Sequence, residues 1–138
     1  MNEEIKIERV SSLQTEERSH LEKIAEIAIE RPLLKGEEFF PKHKLETPER
    51  RSVFIRHYIE KTKNSFYDYL IKIGDKIMGY AAIDKGYNAL KELFTPTVHF
   101  AFVHPLLNDN REAIEEILKK ECDNIDTANK SGRYQIPF

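Results

Sequence analysis

The chain has no tryptophan, a single cysteine and only five glycines among its 138 residues. With Cys122 alone no internal disulfide can form, and a reducing, cytoplasmic setting is expected. No apolar run approaches the roughly 20 residues that a membrane-spanning helix requires. The opening MNEEIKIERV puts charges where a signal peptide carries its apolar stretch, so a soluble protein is expected. An excess of charge is lacking too: 22 Lys and Arg stand against 24 Asp and Glu, for a net charge of −2. That balance gives no global pull toward nucleic acid or an acidic membrane surface. No histidine pair has the helical spacing of metal ligands beside an acid or cysteine, so no metal is expected.

What is present is enough for one folded domain over residues 1–138. Hydrophobic residues make up 40% and charged residues 33%, a globular balance at a length that can bury a core. Residues 5–10 begin with strand-like alternation. Ser11 and Ser12 break it, and Ser12 or Thr15 caps a first helix over about 14–31, with Leu21, Ile24, Ala25 and Ala28 as its core stripe. Pro32 ends that helix. Residues 33–46 have no clear period and read as a loop, with Phe39 and Phe40 too apolar for a free linker. Thr47-Pro48-Glu49 starts a second helix, threonine as N-cap and proline at the first helical position. In it Phe54, His57, Tyr58 and Lys61 share one face, so His57 reads as structural, while Lys42, His43, Lys44, Arg50 and Arg51 read as a solvated basic surface.

Two strands over 66–73 and 76–83 are joined by Gly74-Asp75, a pair suited to a type II′ hairpin. Alternation sends Tyr67, Tyr69, Ile71 and Ile73 to one face and Phe66, Asp68, Leu70 and Lys72 to the other. A connector with Gly86, Asn88 and Pro96 leads to a mostly apolar strand over 97–103, buried on both faces. A helix over about 110–131 then carries Ile114, Ile117, Leu118, Cys122 and Ile125 on one side. Gly132 stops it, and residues 133–136 begin another strand.

The order strand, two helices, three antiparallel strands, long helix, strand resembles the front portion of the GNAT superfamily of acyl-coenzyme A-dependent N-acyltransferases. The motifs that carry the resemblance are Ile77-Met78-Gly79-Tyr80-Ala81, Phe102-Val103-His104-Pro105 and Ala128-Asn129-Lys130-Ser131-Gly132-Arg133. The implied fold is α+β, with a mixed, mainly antiparallel sheet truncated after its fifth strand. The implied activity is transfer of an acetyl group from acetyl-coenzyme A to a small-molecule or peptide amine. By position, backbone groups around Phe102 and Val103 would hold the pantetheine, and the loop Leu107, Asn108, Asp109, Asn110 and Arg111 the pyrophosphate, since a helix N-terminus presents backbone N–H groups to an anion. That loop lacks the family's glycines, and Asp109 and Glu112 add negative charge beside it.

The strand over 97–103 carries no carboxylate to act as a base. His99 and His104 are the titratable side chains on or beside it, on opposite faces if alternation holds, and His104 is the candidate catalytic residue. Tyr134 lies within the last strand and is not promoted to a general acid. A second class of function stands beside the enzyme: a GNAT-shaped binding or scaffold module without coenzyme chemistry, part of a larger assembly. The edge at 133–138 offers a surface on which a second copy could pair to complete a sheet.

Overall fold

A computed structural model describes residues 4–28, 46–88, 90 and 92–131. Strand β1 (Ile5–Val10), helix α1 (Thr15–Ala28), helix α2 (Pro48–Thr62), strands β2 (Phe66–Ile73), β3 (Lys76–Asp84) and β4 (Val98–Val103), a 3-10 helix (Pro105–Asn110) and helix α3 (Arg111–Lys130) follow in order. The fold is α+β. Among the described residues four strands form one sheet in the order β1-β2-β3-β4, every neighbouring pair antiparallel. The strand expected at 133–136, the pairing edge at 133–138 and the loop with Phe39 and Phe40 lie outside the described residues.

Both sheet faces are covered. On one, α1 and α2 pack Leu21, Ile24, Ile55 and Ile59 against Leu70, Tyr80, Phe100 and Phe102. On the other, α3 packs Ile114, Leu118, Cys122 and Ile125 against Tyr69, Ile71, Ala81, Ala101 and Val103. The alternation read for β2 holds, with Tyr69 and Ile71 facing α3 and Leu70 facing the helix pair. Burial pushes the Cys122 thiol up to about 11, which leaves it protonated and inert at neutral pH.

Local chemistry explains the element ends. Thr47 Oγ1 accepts from the Arg50 N–H, with Pro48 in the first turn. Helix α1 begins at Thr15 without a cap from Ser12 or Thr15; the Gln14 N–H donates instead to the Glu17 carboxylate, 2.7 Å away. In the β2–β3 turn Gly74 has φ +58° and Asp75 does not share the positive φ, the pattern of a glycine-first type II′ turn. Arg51 corrects the solvated basic surface expected of it: it is buried, and its guanidinium donates to the Glu26 carbonyl in the last turn of α1. A cation there meets a carbonyl near the C-terminal end of the described helix, where the helix dipole is negative.

Candidate functional site

The strand that the resemblance makes central, β4, does not alternate cleanly. Phe100 pairs with Ala82 and Val98 with Ile83, so His99 is an extra residue facing no β3 partner. This β-bulge turns two successive side chains to one side. Val98 packs with the α3 cluster, whereas Phe100 packs with the α1–α2 cluster and His99 stacks on Tyr58 of α2 and Phe66 of β2. The shift carries past the bulge. His104 borders a cavity of about 220 Å³ with His20, Ile24 and Ile27 of α1. His99 and His104 therefore lie on the same face of the sheet, at opposite ends of β4, which corrects the opposite-face expectation.

His104 is the N-cap of the 3-10 helix. Its Nδ1 accepts from the Leu106 N–H at 3.1 Å, its carbonyl accepts from Leu107 N–H at 2.9 Å, and its own N–H donates to the Met78 carbonyl at 2.7 Å. The residues expected to hold pyrophosphate are arranged differently from an open loop: Leu107 is buried in the α3 core, and Asn108, Asp109 and Asn110 sit exposed within the 3-10 helix. Arg111, half-buried, opens α3. The N–H groups of Leu106 and Leu107 are already bonded to His104, so an anion would meet later amides of this turn. The side chains of Phe102 and Val103 are core, one on each face, and only their backbone can touch a ligand.

A trough of about 700 Å³ runs along α2, lined by Arg50, Val53, Phe54, His57, Tyr58 and Lys61 among others. His57, expected on the core side, is exposed here; the buried stripe of α2 is Arg51, Ile55, Tyr58 and Ile59. Tyr58 joins trough to strand. Its hydroxyl lies 2.6 Å from His99 Nδ1. Burial, with the Asp68 carboxylate adding to it, holds the phenol well above its ordinary range, so Tyr58 keeps its proton. Burial also lowers His99, against a smaller opposing pull from Asp84, so the imidazole is neutral. Sequence reasoning missed this pair because the apolar run of β4 gives no sign of its bulge.

Behind Tyr58, Tyr80 donates to Asp68 at 2.6 Å. Burial raises the Asp68 carboxyl, and the Tyr80 hydrogen bond and the positive charges of Arg18 and Lys85 offset this only in part. A folded pKa above the unfolded one means the native state binds the proton more tightly. The associated stability is present below the unfolded value of about 4 and is lost as pH rises through the folded value. Asp68→Asn should keep the Tyr80 bond and remove that slope. Urea unfolding across pH 4 to 7 should show wild type losing stability relative to the variant as pH rises; parallel curves would refute the assignment.

Among the described residues no group of three or more His, Cys, Asp and Glu side chains could hold a metal ion. No helix among them is long and apolar enough to cross a membrane. No protein-family model matches the sequence, and no curated protein does. Among solved structures the chain is similar to PH1933 from Pyrococcus horikoshii OT3, with a TM-score of 0.50 and 22% identity over 88% of this chain and 71% of that one. At that identity the likeness concerns the fold alone, and the name PH1933 carries no activity with it.

Proposed function

We propose that the chain is an acyl-coenzyme A-dependent N-acyltransferase of GNAT type, working in the cytoplasm on a small-molecule or peptide amine. The observation that carries this reading is the order of elements together with the wholly antiparallel β1-β2-β3-β4 sheet, two helices on one face and one on the other. That is the arrangement the sequence resemblance implies up to the long helix. A trough along α2, joined to the bulged strand through Tyr58, supports it, since the chemistry needs an amine held near a thioester lying along β4. Backbone groups of Phe102 and Val103 would hold the pantetheine and polarise the carbonyl. The turn of Asn108, Asp109 and Asn110, with the Arg111 guanidinium, would meet the pyrophosphate.

The test is a calorimetric titration with acetyl-coenzyme A, with desulfo-coenzyme A as control. Micromolar binding is expected. Arg111→Glu should weaken it by about tenfold or more, the worth of a charge-assisted hydrogen bond of roughly 1.5–3 kcal/mol. An unchanged Kd counts against the pyrophosphate placement. One observation favours a second reading, the binding or scaffold module: the Leu106 and Leu107 N–H groups are already satisfied by His104. No heat and no thermal shift at millimolar acetyl-coenzyme A would select that reading.

A further inference from the structure

We propose that Tyr58 and His99 form a proton relay opening on the α2 trough, with His99 as the terminal base for the acceptor amine. The inference rests on the acyl-transfer reading and adds to it the residues that move the proton. Three features of geometry carry it. The β4 bulge turns His99 toward α2, where strict alternation from Phe100 would have sent it toward α3. The imidazole lies nearly parallel to the rings of Phe66, with centroids 4.4 Å apart, and Tyr58, at 5.8 Å. The Tyr58 hydroxyl, 2.6 Å from Nδ1, belongs to a residue that also lines the trough. His99 is half-buried, and Tyr58, itself buried, joins it to the trough.

The step balances without any further reactant. The acceptor enters as a free amine, and its nitrogen attacks the thioester carbonyl; a C–N bond forms and the C–S bond breaks. The amine proton passes to Tyr58 Oη as the tyrosine's own proton moves to His99 Nδ1, so no phenolate is formed. The imidazolium then returns one proton by the same path to the departing thiolate. The directions of titration agree with this, because a phenol that resists ionisation cannot act alone and a neutral imidazole can accept. The charged and titratable groups around the pair are Asp68 and Tyr80 behind Tyr58, Asp84 toward His99, and Glu49, Arg50, His57 and Lys61 along the trough.

The test uses the full chain and the variants Tyr58→Phe and His99→Gln, both of which keep side-chain volume. Calorimetry with acetyl-coenzyme A comes first: absence of binding in wild type defeats the underlying reading. With binding intact in all three proteins, acylation of a panel of primary amines that includes phenethylamine is followed by thiol release. Each variant should lose about a hundredfold in kcat, a typical worth of positioned acid–base catalysis. His99→Gln should also lose the acid limb of the wild-type kcat/KM profile, which loss of packing would leave in place. Imidazole nitrogen NMR should show phenethylamine shifting the Nδ1 signal of His99 in wild type and not in Tyr58→Phe. Variants that turn over at the wild-type rate, an unchanged acid limb, or a coenzyme-binding wild type that acylates no amine of the panel would overturn the relay.

Discussion

Gly79→Ala is expected to destabilise the protein by about 3 kcal/mol, at the upper end of what overpacking a well-filled site costs. A Cβ at this position would sit 2.4 Å from the Phe102 carbonyl oxygen and 2.9 Å from Val103 Cγ1. The first of these is backbone, so relief requires β3 and β4 to separate rather than a side chain to turn. Gly79 pairs with Val103 in the β3–β4 register, and the neighbouring Met78 carbonyl accepts from the His104 N–H, so separation would also strain the start of the 3-10 helix. Native stabilities run to roughly 5–15 kcal/mol, so this is a large fraction of the total. Urea unfolding of the variant should show a midpoint moved clearly down at an unchanged slope. A loss below about 1 kcal/mol would mean that β3 and β4 do not approach as described.

Phe102→Ala should cost about 3–5 kcal/mol, the range for removing a phenyl ring from a core. Phe102 is fully buried, its ring 5.8 Å from that of Phe100 and 6.1 Å from that of Tyr80. It thus supports the layer on which Tyr58 rests, Tyr58 and Phe100 being 5.0 Å apart. The variant also separates side chain from backbone. If the coenzyme touches only the β4 main chain here, the folded fraction should bind acetyl-coenzyme A within about threefold of wild type, a change of less than about 0.7 kcal/mol. Thermal unfolding and calorimetry on the same sample give both numbers. Full stability would contradict the core assignment, and lost affinity in a folded sample would contradict the main-chain contact.

Much of the architecture was legible because local chemistry and global packing agree. Thr47-Pro48 announces α2, Gly74-Asp75 announces the hairpin, and Leu21, Ile24, Ala25 and Ala28 of α1 fall on one helical face and are buried. Less legible were features set by tertiary context. Arg51 looks like one more surface cation until α1 packs across α2 and presents the Glu26 carbonyl to it. Pro105 marks a break after β4, yet the segment behind it forms a 3-10 helix because His104 closes its first turn from both its ring and its carbonyl. The candidate site suffered most. An apolar strand such as Val98–Val103 gives no polar alternation from which to detect an inserted residue, so the bulge and the pairing of His99 with Tyr58 were hidden. Sequence reasoning therefore settled on His104, which the fold employs as a cap.

The most direct measurement is amide chemical-shift mapping of the labelled protein during titration with acetyl-coenzyme A. The acyltransferase reading predicts a contiguous set of shifted amides along β4 at Phe100, Ala101, Phe102 and Val103, continuing into Asn108, Asp109, Asn110 and Arg111, with smaller changes at Tyr58. Shifts confined to other surfaces, or none at millimolar ligand, would contradict it and leave the chain a binding module.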